Sequence, residues 1–446
     1  MAYLSRTQTA GDRRTWTQSG WYKLDGNDPG NAQSLISTNG TNTGTNFHYT
    51  IEKGGNTGGA SDTISCHNYA GDVFTTTRVL RDYSSWYHIV LAMDTTQVSA
   101  ADRIKLWVNN ESVTITQAAN YPIQDFEFGV NNSGTVLGIG THPGSISGYQ
   151  FTGLQANVEL VDGLALTPAY FGSTDSNTGI WKPGGSSAIS SYGTNGFKLK
   201  MDTTTPGADT SGKGNNYAVA AGTFTLTQGS PSNNWCTLNP LARRFSSSPN
   251  TFSNGNTTST FPAVNNSWNP VSATFGMTKG KWYWESKSIS GTATYNGIMA
   301  QEPTSNTGDV WLGGIANQFG YSGGNGYVYV ANSNQASLSS YTNGDIVSVA
   351  YDADNNLIYF YKNGAIQNSG TGLAVPTPES TPLGAWFPAW STWDQTTTVK
   401  SFNFGEGFFG TTAAGTQADG NGQGLFAYAV PSGYYALNTK NLEAYG

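Results

Sequence analysis

Trp86-Tyr-His-Ile-Val-Leu-Ala-Met-Asp94 and, after a polar loop, Arg103-Ile-Lys-Leu-Trp-Val-Asn-Asn110 make up a pattern that the chain writes twice. The second copy is Gly344-Asp-Ile-Val-Ser-Val-Ala-Tyr-Asp352 followed by Asn356-Leu-Ile-Tyr-Phe-Tyr-Lys-Asn-Gly364. Each copy is a run of β-branched and aromatic residues with a period near two, an Asp-led turn, a second run, and an Asn-Asn or Asn-Gly turn that returns the chain. Both predict β-meanders. Their different surroundings in different halves of the chain predict two antiparallel sandwiches.

Composition agrees with that reading. Of 446 residues, 56 are Gly, 13% are aromatic and only 11% are charged, against about 25% charged in an average globular chain. Solvated helix faces need the missing Lys and Glu, whereas sheets joined by Gly, Asn, Ser and Thr turns do not. The predicted fold class is all-β: two antiparallel, jelly-roll-like β-sandwich domains in tandem, with almost no helix. The first spans residues 1–225, a linker spans 226–240, and the second spans 241–446. Predicted strands include Trp16–Leu24, Phe126–Val130, Val310–Ile315 and Gly326–Val330. One helical turn is expected at Leu166-Thr-Pro168, with Thr167 as N-cap and Pro168 first in the turn. The aromatic stretch Gly424 to Asn438 is expected to pack on the second sandwich.

The net charge of -7, with Lys and Arg scattered, supplies no basic field for phosphates, so nucleic acid is not expected as a partner. No stretch reaches the ~18 apolar residues of a membrane span and no apolar leader follows Met1. The expectation is a product made soluble in the cytoplasm, without membrane insertion. Cys66 and Cys236, the two cysteines, read as buried thiols, with a bridge between them left open.

No catalytic residue is predicted. A glycosidase needs two carboxylates about 5 to 9.5 Å apart, and the best local pair, Asp125-Phe-Glu127, reads as polar positions facing water on a strand whose Phe126 and Phe128 face inward. His48, His67, His88 and His142 are dispersed and imply no metal; His88 reads as a packed core histidine. Asp352-Ala-Asp354-Asn355-Asn356 reads as a turn rather than a calcium loop, because the trailing Glu is absent.

Glycan recognition needs exposed aromatic faces flanked by amides and carboxylates. In Trp386-Phe-Pro-Ala-Trp390-Ser-Thr-Trp393-Asp394-Gln395, Trp386 and Trp390 share a strand face, whereas Trp393 and Asp394 fall in the following turn. Tyr321, Asn325 and Tyr327 make a second candidate loop, and Asn46, His48 and Tyr49 a third.

The first meander, with Phe151-Thr-Gly-Leu-Gln-Ala-Asn-Val-Glu-Leu160 and Leu166-Thr-Pro168, resembles the laminin-G-like (concanavalin-A-like lectin) jelly roll. That resemblance leaves calcium open at Asp94 and Asp162; no other cofactor is expected. Gly280-Lys-Trp-Tyr-Trp-Glu285, Phe319-Gly-Tyr321, the second meander, Phe387-Pro-Ala389 and Phe402-Asn-Phe-Gly405 resemble, in order, the SPRY (B30.2-like) domain. The pairing, with Trp235-Cys-Thr-Leu-Asn-Pro-Leu241 between and Tyr435-Ala-Leu-Asn-Thr-Lys-Asn-Leu442 at the end, resembles structural proteins of tailed bacteriophages. What the resemblance implies is a virion surface protein, a capsid decoration or tail appendage released by lysis. It would bind host-surface glycans and other virion proteins and act as a homo-oligomer on the particle. The rivals are a purely architectural adaptor and a polysaccharide depolymerase.

Overall fold

The computed structural model describes residues 2–26, 32–42, 44–53, 61–68, 71–116, 122–146, 148–185, 187–242, 250–263, 268, 270–291, 294–302, 311–392 and 396–446. The chain divides into two compact units, Met1–Leu24 with Asp28–Leu226, and Asp25–Asn27 with Thr227–Gly446. Each is a β-sandwich.

In the first unit an eight-stranded antiparallel sheet faces a six-stranded one. The first meander supplies part of the latter: Tyr87–Asp94 pairs with Ile104–Val108 from Ile89↔Val108 to Met93↔Ile104. Asn109 and Asn110 turn the chain at φ 50 and 68, the left-handed values a tight hairpin needs and Asn tolerates. Ile89, Leu91 and Met93, with Trp16 and Tyr22 from Thr15–Lys23, meet Phe47, Tyr49, Cys66 and Phe74 of the opposite sheet. Trp16 sets its ring edge-on to Phe47 at 5.2 Å.

The alternate positions of these central strands are buried too. Thr15–Lys23 is buried at every residue after Thr15, because Leu164, Leu166, Tyr170, Phe171, Ile189 and Tyr192 cover the sheet's outer face. Val90 and Val161 pack there against Leu166 and Phe171. His88 lies under this cover, stacked on Trp21 at 4.7 Å, its Nδ1 accepting from Trp181 Nε1 at 2.9 Å and its Nε2 2.9 Å from Ser19 Oγ. Both ring nitrogens are used. Burial pushes its pKa down to about 3.

The second unit packs a nine-stranded sheet on a six-stranded one. Lys281–Ser290 is central to the former, flanked by Ile346–Asp352 and Thr398–Asn403. Its inward Trp282 and Trp284 join Trp386, Trp390, Phe402 and Tyr351 in the core. Its outward Tyr283 and Glu285 are covered by the C-terminal arm. Glu285, wholly buried, accepts from the backbone N–H of Ala427 at 2.9 Å and Tyr428 at 3.0 Å and from Asn403 Nδ2 at 3.3 Å. Tyr435–Ala436 adds a parallel strand beside Trp282 and Tyr283, and a helix, Thr439–Tyr445, follows, capped by Asn438.

Several expectations are corrected. Trp235, Cys236 and Leu238 are core residues of the second unit, so 226–240 is not a free linker; Cys66 is buried in the first unit's core. Phe126–Val130 is not a strand, although Phe126 and Phe128 still pack inward. Trp311–Ile315 is not a strand either, since Gly313 sits at φ 100. The short helix at Thr439–Tyr445 was not foreseen, while the turn at Pro168–Tyr170 was.

A lysine is buried in the second unit as well. Lys400 is fully buried, with Nζ 2.9 Å from Ser288 Oγ and 5.2 Å from the Tyr341 ring centre, and burial pushes its pKa down to about 7. The unfolded chain therefore holds more protons than the folded one between pH 7 and about 10.4, and stability rises with pH through that window. Lys400→Met is expected to stabilise the protein by about 1–3 kcal/mol at pH 7 and to abolish that rise, as measured by thermal unfolding at pH 7 and 9.5. His88 has the matching acid signature: folded and neutral down to about pH 3, it costs stability as pH falls from about 6.5, where the unfolded imidazole takes up a proton. Urea unfolding between pH 7 and 4 is expected to show a loss approaching about 1.4 kcal/mol per pH unit from this residue, and a smaller slope in His88→Gln.

Candidate functional site

The six-stranded sheet of the second unit presents an outer face built around two bare positions. Cross-strand neighbours share a face, and one row reads Ala389, Gly297, Gly320, Tyr329, Asn334. Trp311–Ile315 runs over this row at Gly320. A Cβ on Gly320 would collide with the Leu312 carbonyl oxygen, so only glycine admits this approach. The segment is held by Leu312 N donating to Ser391 Oγ at 2.9 Å, Ala331 N to the Ile315 carbonyl at 3.2 Å and Asn332 N to the Gly313 carbonyl at 2.9 Å. Trp311 is thereby set between Tyr295 and Tyr329.

The result is a track of aromatic rings. Successive centroids run from Trp268 to Tyr295 at 5.3 Å, Tyr295 to Trp311 at 4.9 Å, Trp311 to Tyr329 at 4.8 Å and Tyr329 to Tyr327 at 6.0 Å. Trp268, Tyr295, Trp311 and Tyr329 are half-buried and Tyr327 is 38% exposed. Asn325 Nδ2 donates to the Tyr329 hydroxyl at 2.8 Å, and its Oδ1 accepts from Tyr327 N at 3.0 Å, so the turn is locked to the track's end. The exposed strand Ser333–Ser337 continues the face with Asn334 and Gln335. From Trp311 to Gly344 the sequence contains no Asp, Glu, Lys or Arg.

Of the residues singled out from sequence, Asn325 and Tyr327 belong to this face. Tyr321 does not. It ends up in strand Gln318–Ser322, wholly buried, its ring 5.0 Å from Tyr341 and its hydroxyl donating to the Ser339 carbonyl; the Gly-rich stretch that looked like a loop starts only after Ser322. Trp393 and Asp394 lie outside the described residues. Trp386 and Trp390 are core. Tyr295, Trp311, Tyr329 and Trp268 were not foreseen as a group, because strand register unites only Tyr295 and Tyr329, and the two tryptophans reach them from segments outside the strands.

In the first unit the third candidate divides by strand alternation. Tyr49 points into the core, wholly buried, while Asn46 and His48 lie on the other face of the eight-stranded sheet. His48 is nine-tenths buried rather than loop-exposed. It pairs across strands with His67, and a loop brings His142 to 4.9 Å and Tyr149 to 4.5 Å from its ring centre, so three histidines that look dispersed in sequence form one cluster. Burial first, then His142 and His67, keeps His48 well below the ordinary histidine pKa. Beside it, buried Glu52 Oε1 accepts from Thr50 Oγ1 at 2.9 Å, from Ser65 Oγ and from His67 Nε2 at 3.1 Å. Ser65 and Glu52 both meet the same nitrogen of His67, whereas a nucleophile relay needs one partner on each side of the ring. The cluster is a buried polar network.

The remaining carboxylates hold turns together. Asp125 and Glu127 face water, paired with Arg14 at 3.5 Å and Arg13 at 2.7 Å. Asp352 binds Lys281 at 2.9 Å and accepts from Asn355 N. Asp162 accepts from the backbone of Asp12 and Asn195, and Asp94 from Thr96 and Gln97. Among the described residues no three His, Cys, Asp or Glu side chains are placed to hold a metal ion.

Residues 281–406, which carry the track apart from Trp268, match the family model of the SPRY domain. The second unit contains a SPRY domain. Among solved structures, the SPRY domain of human HERC1 is similar at 17% identity, covering 37% of this chain and 96% of that one with a TM-score of 0.30. Another human SPRY domain is similar at 18% identity, covering 33% and 90% with a TM-score of 0.26. A heptameric SAP-like pentraxin from Limulus polyphemus aligns at 16% identity over 37% and 72%, with a TM-score of 0.28. No curated protein matches. SPRY domains are in general non-catalytic modules of protein interaction, which makes protein partners consistent with this one.

Gly320→Ala is expected to lift Trp311–Ile315 from the SPRY sheet and destabilise the protein by about 1–3 kcal/mol. Thermal unfolding measures the cost, and a change in accessibility of Trp311 to iodide quenching reports the displaced segment.

Proposed function

We propose that this protein is a non-catalytic recognition protein on the surface of a phage particle, binding host-surface glycans through its SPRY domain and anchoring to other virion proteins through its remaining surfaces. The observation that carries the glycan reading is the aromatic track: half-exposed rings that can stack on the apolar faces of sugars, bordered by Asn325, Asn334 and Gln335 for hydroxyls, on a stretch without charge. Glu285, the buried carboxylate of the second unit's central strand, has both oxygens engaged by neighbours in the fold, which supports binding rather than bond cleavage. The particle context rests on the resemblance of the paired sandwiches to structural proteins of tailed phages. Display in many copies turns weak sites into firm attachment.

A second reading, an architectural adaptor that touches only protein neighbours, is favoured by the general role of SPRY domains in protein interaction. Retention of purified protein on host polysaccharide separates the two. The wild type is expected to be retained and Trp311→Ala to lose about tenfold in affinity, while Tyr327→Ala, at an exposed position that leaves the fold intact, loses a smaller factor at unchanged melting temperature. Absence of retention on every host polysaccharide, together with capture of virion proteins, overturns the glycan reading in favour of the adaptor.

A further inference from the structure

The track is longer than one sugar requires, and its rings do not lie in one plane. A single pyranose covers a single aromatic face, whereas here four ring-to-ring steps follow one another across the sheet, from Trp268 through Tyr295, Trp311 and Tyr329 to Tyr327. The interplanar angles along it are 72°, 43°, 89° and 59°. A rigid, flat array of packed chains would meet only one such ring at a time. A single hydrated chain, free to rotate about each glycosidic bond, can present a face to each ring in turn.

Charge narrows the class. Residues 311–344 supply Tyr, Trp, Asn, Gln and Ser but no cation to pair with a uronate, sulfate or phosphate. On the exposed edge strand, Asn334 stands opposite Tyr329 and is followed by Gln335, so amides border the track there.

We propose that the SPRY outer face binds the interior of a linear, uncharged polysaccharide, running from Trp268 towards Tyr327. This rests on the glycan reading above and adds to it the chain's length, neutrality and mode of approach. Titration calorimetry of the full chain with neutral glucan, mannan, xylan and galactan oligomers of increasing length tests it. Affinity for one series is expected to rise about fivefold per sugar up to about four sugars and then level off. Tyr327→Ala is expected to level off one sugar earlier, with a larger loss for the longest oligomers than for the shorter ones. A monosaccharide bound as tightly as the longest oligomer would overturn the chain reading and leave a terminal-sugar site. Tighter binding of uronate or sulfated polymers would overturn neutrality, and binding confined to crystalline insoluble polymer would overturn the single-chain approach. No binding to any oligomer or host glycan would sink the glycan reading itself.

Discussion

Burial of the central strands on both faces is the constraint on which the rest of the structure depends. A strand that faces a core on one side and water on the other can leave its polar side chains to the solvent. Thr15–Lys23 and residues 282–286 of Lys281–Ser290 cannot, because Leu166, Phe171 and their neighbours cover the first and the C-terminal arm covers the second. Each buried donor and acceptor there requires a protein partner. His88 meets this with Ser19 and Trp181, and Glu285 meets it with two backbone N–H groups of the arm that hides it. The covering segments and the polar groups beneath them are thus mutually dependent, and removal of either exposes the other.

That arrangement explains which parts of the fold were legible in the sequence. The meanders were, because period-two hydrophobicity and the turns at Asn109-Asn110 and Asn363-Gly364 are local signals, and both hairpins form where they were expected. Packing of the aromatic C-terminal stretch was also legible from composition. What escaped was long-range. The strand expected at Trp16–Leu24 forms over Thr15–Lys23, but the burial of its second face by a distant segment left no local signal. Trp311–Ile315 has the composition of a strand yet lies across a sheet, since Gly320 has no side chain to block its backbone.

The candidate site divides in the same way. Asn325 and Tyr327 were legible, as aromatic and amide residues in a Gly-rich turn usually face water. Tyr321, four residues before Asn325, was misplaced because the strand runs on to Ser322 and alternation sends that ring into the core. Tyr295, Trp311 and Tyr329 each look like ordinary strand aromatics; the registers Gly297↔Gly320 and Gly320↔Tyr329 bring Tyr295 and Tyr329 to one face, and the crossing of Trp311–Ile315 over Gly320 sets Trp311 between them. The histidine cluster of the first unit is a comparable case, in which cross-strand pairing of His48 with His67 and a returning loop unite residues nearly a hundred positions apart.

The uncharged run from Trp311 to Gly344 carries a consequence for the medium in which such a surface works. Attraction between opposite charges weakens as dissolved ions shorten the Debye length, from about 10 Å at 0.1 M to about 3 Å at 1 M. Stacking and neutral hydrogen bonds have no such dependence, and excluded salts strengthen apolar contact if anything. Contacts made through the rings of Tyr295, Trp311 and Tyr329 would therefore not weaken with added salt, where contacts relying on lysine and carboxylate would.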